Sequence, residues 1–146
     1  MLTLFQRFDL SPRRVSLIET WGPIAIILLA AALRLYNLGF PTSLNFDETY
    51  YVKDAYSLLN GGYERNWDSG ADASFEAGNP NGLLNDPSFV VHPPLGKWLI
   101  GLGMLVFGAG NPFGWRIVVA LLGIATVWFT MKSAKLIFHS KIWALV

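Results

Sequence analysis

Apolar and polar positions follow one another along this chain in long blocks. From Thr20 to Leu38 the sequence reads TWGPIAIILLAAALRLYNL, with Arg34 as its single charge. At 1.5 Å per residue this run is long enough to cross a hydrocarbon core of ~30 Å, so a first transmembrane helix is expected over residues 20–38. A polar stretch follows, and VVHPPLGKWLIGLGMLVFGAG then returns to apolar character. Pro94 suits the first turn of a helix, where its missing N–H is not needed, and Pro93 holds the entry extended. A second, short span is therefore expected over 94–108. Gly, Asn and Pro in GAGNPFGWR interrupt it, a third span is expected over 113–131, and residues 141–146 read as the opening of a fourth. The pattern predicts an all-α integral membrane protein, of which this chain is expected to be the N-terminal part.

The polar stretch, residues 39–93, is not uniform. In DETYYVKDAYSLL, Tyr51, Val52, Ala55, Leu58 and Leu59 share one helical stripe with Lys53 and Asp54 off it, which predicts a helix lying in the membrane interface with tyrosines at headgroup level. The following NGGYERNWDSGADASFEAGNPNGLLNDPS is rich in Gly, Asn, Asp and Ser without periodicity and reads as a flexible loop.

Composition agrees with a membrane protein. The chain is 53% hydrophobic and only 14% charged, with six Trp and a mean hydropathy of +0.40, too apolar for an ordinary soluble domain. A net charge of +1 lacks the basic excess that nucleic-acid binding needs. The absence of cysteine excludes disulfides and thiolate chemistry.

Charge distribution adds orientation. The lead, residues 1–19, carries Arg7, Arg13 and Arg14 against Asp9 and Glu19, and Ser11-Pro12 can open a short amphipathic helix there. The segment from Tyr36 to Pro94 holds eight acids against two bases, a formal −6. The positive-inside rule thus predicts a cytoplasmic lead and an extracytoplasmic loop, on a multi-pass protein of the cell membrane. Lys132, Lys135 and Lys141 count against this arrangement, because three spans would carry them outside. A cleaved signal peptide shares the layout of basic lead, apolar core and Ala30 to Ala32, but apolar character continues past the alanines and further apolar segments follow.

The candidate chemistry sits in NFDETYYVKD, residues 45–54, where the chain leaves the first helix. An adjacent Asp-Glu pair can be a mere solvated loop start. Its company argues otherwise: Arg34 lies inside the span near its outer end, where a charge is costly without a partner or a polar cavity. VVHPPLGK brings His92 and Lys97 back to the same boundary. Acid, guanidinium, imidazole and ammonium can therefore converge at one membrane surface.

FDETYY, followed by VVHPPLGKWLIG and then FGWR, resembles the first luminal loop of the protein O-mannosyltransferases, particularly the actinobacterial branch, from about Ala32 to Ile137. The resemblance implies a GT-C type multi-span helical bundle with a long extracytoplasmic first loop carrying interfacial helices. It also implies transfer of mannose from a polyprenyl-phosphate-mannose donor to Ser or Thr of secreted or membrane proteins. Carried over residue by residue, it makes Asp47 the catalytic base with Glu48 beside it, and adds Arg34 and Arg116 as substrate-side arginines. The chain departs from many relatives in having Tyr50 where they carry histidine, so no relay through such a histidine is required. Its loop before His92 is also longer than in compact relatives.

One catalytic carboxylate suffices for that reaction. A glycosidase needs an acid because an alkoxide leaves poorly, whereas a polyprenyl phosphate leaves as a stabilised anion and asks mainly for nearby positive charge. Asp47 would take the acceptor hydroxyl proton during attack on the face opposite the phosphate, with inversion. Neighbouring helical residues point ~100° apart, so Glu48 is expected to orient Asp47 or the acceptor, or to pair with an arginine. His92 is a substrate contact or a helix cap, and Lys97 a phosphate contact or a snorkelling anchor. Arg116, on the cytoplasmic side of a third span, is suited to packing or orientation. Trp21, Trp98, Trp115, Trp128 and Trp143 read as interface or packing aromatics. Asp47, Glu48 and His92 lack a tight metal-ligand spacing, so neither metal nor cofactor is expected. The alternatives are another GT-C glycosyltransferase acting on lipid or polysaccharide, and a non-catalytic transporter or assembly subunit whose carboxylates bind a cation.

Overall fold

The computed structural model describes residues 11–139. The expected fourth span, 141–146, and the first ten residues of the lead lie outside the described residues. The order of elements is α1 (Pro12–Leu35), α2 (Glu48–Gly61), β1 (Arg65–Trp67), α3 (Ala71–Glu76), β2 (Leu83–Pro87), α4 (Leu95–Phe107) and α5 (Pro112–Phe138). Helix α1 opens with proline at its first position, which suits a residue without an N–H, and runs unbroken into the apolar segment. There is thus one continuous helix where a separate amphipathic lead helix was expected. Helices α1 and α5 are each long and apolar enough to cross a membrane. Helix α4 has only 13 residues, about 20 Å of rise.

Two units can be distinguished. One contains α1 up to Arg34 together with α5 from Leu122 onward, and the other contains Leu35–Leu121.

The core of the second unit forms from Val52 and Ala55 of α2, Phe75 of α3, Met104 of α4 and Trp115 of α5. Helix α2 presents its Val52, Ala55 and Leu58 stripe inward, and α4 meets it with Lys97, Gly101 and Met104, spaced four and three residues apart as one helical face. Beside that face, Gly103 passes directly against the backbone carbonyl of Gly114. That approach leaves no room for a Cβ. Gly96, by contrast, faces open space. The opposite face of α4, with Leu95, Leu102, Leu105 and Val106, is exposed.

Two expectations are corrected here. The apolar stripe of α2 is covered by protein, because α3 and α4 supply enough apolar area to bury it. The segment expected to be a flexible loop is folded, and it makes the chain other than all-α: β1 and β2 pair antiparallel, with Arg65 opposite Pro87 and Trp67 opposite Leu83 across an irregular register. Its anchor is aromatic. Phe75 is fully buried, with ring centroids 5.1 Å from Trp67, 5.6 Å from Tyr56 and 6.2 Å from Trp115. A Lys53–Asp72 ion pair of 2.7 Å ties α3 to α2.

Candidate active site

Asp47 stands at the N-cap of α2 but makes no side-chain capping bond. The residue before it, Phe46, has φ of 48°, a left-handed conformation uncommon for a bulky residue. This turn starts α2 abruptly. Asp47 lines a cavity of about 470 Å³ together with Tyr50, Tyr51, Asp54, His92 and Lys97. Asp47, Tyr51 and Asp54 lie four and three residues apart, so one face of α2 supplies all three.

Glu48 has a different environment. Arg116 holds its carboxylate in a two-point clamp, with Nε donating to Oε1 at 2.6 Å and Nη2 donating to Oε2 at 2.8 Å. The same guanidinium donates to the carbonyls of Leu38 at 3.1 Å, Pro41 at 2.9 Å and Ser43 at 3.4 Å. Glu48 also accepts the backbone N–H of Asn45. Arg116 therefore belongs beside the Asp-Glu pair, which corrects its expected position at the far end of a span. Its donors are occupied by protein. A planar fork of five N–H groups suits such a task better than an ammonium would.

His92 faces the cavity from the chain before α4. Its Nδ1 lies 3.2 Å from the Tyr51 hydroxyl, and the two rings meet edge to face with centroids 5.5 Å apart. Lys97 departs from expectation. Instead of extending toward water it is 3% exposed, with Nζ 2.9 Å from Asp54 and 2.8 Å from the buried Glu64. The cluster is one positive charge short of the number of carboxylates it holds. Burial, helped by the negative Glu64, raises the Asp54 carboxyl above its ordinary range, against the hydrogen bond and charge of Lys97 and the charge of Lys53. Burial alone would lower the Lys97 ammonium, but its bonds to Glu64 and Asp54 outweigh that and raise it.

Arg34 belongs to the other unit. Its Nη1 donates to the Ala30 carbonyl at a long 3.5 Å, and among the described residues it has no carboxylate partner. Among the described residues no group of three or more His, Asp or Glu is arranged to hold a metal ion.

Asp54, Glu64 and Tyr51 escaped the sequence reading as site residues. Asp54 had a signal, its seven-residue spacing from Asp47. Glu64 had none, since only folding brings it to Lys97.

Residues 91–146 match a family model described as dolichyl-phosphate-mannose-protein mannosyltransferase. The chain is 35% identical over 120 residues to a polyprenol-phosphate-mannose–protein mannosyltransferase of Mycobacterium tuberculosis (strain CDC 1551 / Oshkosh), covering 79% of this chain. It is 36% identical over 128 residues, 84% of the chain, to the protein of that name from Mycolicibacterium smegmatis (strain ATCC 700084 / mc(2)155). The corresponding Corynebacterium glutamicum protein (strain ATCC 13032) is 36% identical over 119 residues, 80% of the chain. The chain belongs to this mannosyltransferase family. It spans only 19%, 21% and 20% of the length of these three relatives. No solved structure matches it significantly. Because about four-fifths of the chain is matched, Asp47, Glu48 and His92 fall within the part it shares with the mannosyltransferases wherever that part begins.

Proposed function

We propose that this chain forms the catalytic-loop part of a GT-C type multi-span enzyme that transfers mannose from polyprenyl-phosphate mannose to Ser or Thr hydroxyls of proteins at the extracytoplasmic membrane face. The observation that carries this reading is the division of labour between two adjacent carboxylates. Glu48 is neutralised and fixed by Arg116, whereas Asp47 has no capping bond and borders a cavity with His92 and Tyr51. A clamped carboxylate cannot swing to an acceptor; a free one beside a cavity can.

In the proposed reaction the acceptor hydroxyl gives its proton to Asp47 as its oxygen bonds to the anomeric carbon. The bond from that carbon to the phosphate oxygen breaks on the opposite face, and the electron pair leaves with polyprenyl phosphate. Configuration inverts. Arg34, a cation without a carboxylate partner among the described residues, serves the phosphate, and His92 contacts substrate in the cavity. Arg116 and Lys97 act by position: one holds Glu48 and the backbone leaving α1, the other holds Asp54 in the cavity lining.

The topology we propose differs from three successive spans. Arg116, in the first turns of α5, bonds to Leu38 and Pro41, just past the end of α1. The start of α5 and the chain just past α1 then belong to one membrane face, so that α1 and α5 are consecutive crossings and α4, between them in the sequence, does not cross. On this reading Lys132 and Lys135 return to the cytoplasm, in accord with the positive-inside rule.

The test uses the full-length protein with labelled polyprenyl-phosphate mannose and a Ser/Thr-rich acceptor peptide. Asp47→Asn is expected to lower turnover by about 10²- to 10⁴-fold with carrier binding retained. Transfer at the unsubstituted rate would refute the assignment.

A further inference from the structure

Arg34 is the one charged side chain between residues 20 and 35, and a guanidinium in so apolar a segment needs something to fix it. Its hydrogen bonding does not, since the described residues offer it only the distant Ala30 carbonyl one turn back. Its shape complement is Gly123 of α5. A Cβ built on Gly123 would lie 2.7 Å from Arg34 Nε and 3.1 Å from its Cδ. Arg34 is exposed and these atoms belong to the distal half of its flexible side chain, so a methyl at Gly123 would be relieved by that half turning away and carrying the guanidinium out of its present place. Glycine inside a helix is otherwise unfavourable relative to alanine, and Gly123 lies well inside the 27 residues of α5.

We propose that Gly123 is a positioning residue for the donor: its missing side chain forms a notch on α5 that seats Arg34 and leaves the guanidinium N–H groups directed to the phosphate of the lipid-linked sugar. This rests on the mannosyltransferase reading and on the phosphate role given to Arg34 there. The notch selects a geometry and supplies no bond. It therefore affects capture of the phosphate and not the proton transfer at Asp47.

The experiment measures transfer and carrier retention by the full-length protein in detergent, using labelled polyprenyl-phosphate mannose. Gly123→Ala is expected to raise KM for the carrier about tenfold or more, the scale of one charge-assisted hydrogen bond lost, with kcat little changed. Arg34→Ala is expected to raise it at least as much. In the Arg34→Ala background, Gly123→Ala should add nothing, because the clash it creates is gone. The thermal midpoint of Gly123→Ala should not fall, since alanine favours the helix. If Gly123→Ala alone folds poorly, the double variant, which keeps the methyl and removes the clash, is expected to recover folding. A KM unchanged by Gly123→Ala while Arg34→Ala is impaired overturns the proposal, and so does an equal loss in both backgrounds, which would mark plain helix packing. An Arg34→Ala protein with normal KM also overturns it. The mannosyltransferase reading is judged separately by Asp47→Asn, whose effect on kcat does not depend on Gly123.

Discussion

Lys97 illustrates how little a residue's type says about its task. Its ammonium is held between Asp54 and Glu64, so removing it strands two carboxylates in a poorly solvated place. Lys97→Met should destabilise the unit by about 3–5 kcal/mol, the scale of a broken buried pair, as read from the shift in thermal unfolding of the purified full-length protein. The pH dependence follows from the direction of its shift. A lysine held above its ordinary 10.5 in the fold contributes stability that is complete below 10.5 and disappears as pH rises through the higher folded value. Alkaline titration of stability should therefore show a loss above 10.5 that is missing in Lys97→Met. The raised Asp54 carboxyl acts in the same sense: its contribution is complete below 3.8 and falls as pH rises through its folded value. Arg116 has a narrower role, to which geometry is essential. Arg116→Lys keeps the charge but cannot make two parallel bonds to Glu48 while also reaching the carbonyls of Leu38 and Pro41. Its kcat is expected to drop by about 10²-fold or more, as positioning losses near a reacting group do, and mannosyl transfer at saturating carrier measures it.

Among the elements, the short α3 contributes most for its length. Six residues, Ala71–Glu76, carry Phe75 into a cluster with Tyr56, Trp67 and Trp115, and Glu76 accepts the backbone N–H of Leu44 at 2.9 Å. An isolated helix of this length has no stability of its own, so its order is borrowed from those rings. Phe75→Ala should cost about 3–5 kcal/mol and also expose β1 and β2 to proteolysis, which limited digestion of the full-length protein can follow. This is where sequence reading failed. Gly, Asn and Asp dominate the segment, and local propensity favours a loop. The signal lay in Trp67 and Phe75, two large rings that a solvated loop has no use for, yet their partners are on α2 and α5. Likewise, the inward stripe of α2 was legible from its spacing, but whether lipid or protein covers it depends on α3 and α4.

For the molecule as a whole, the proposed topology makes a sharp prediction. These 146 residues contain no cysteine, so in a full-length protein with any other cysteines replaced, single introduced cysteines report cleanly on sidedness. Cysteine at the exposed Asp86 should react with an impermeant maleimide added outside intact cells, and cysteine at Lys132 should not, whereas three successive spans would expose both. Labelling at both positions would restore α4 as a crossing.

The long apolar runs, the Asp-Glu pair and the motif around His92 were determined by sequence, because hydrophobic length and helical spacing are local properties. The same holds for family membership, which residue identity carries directly. Tertiary structure alone decided that Glu48 is clamped while Asp47 is not, that Lys97 is buried between two acids, and that the start of α5 returns to the end of α1. Each of these joins groups far apart along the chain, through contacts only a few ångströms long, and such distances are fixed by packing, which no local pattern encodes.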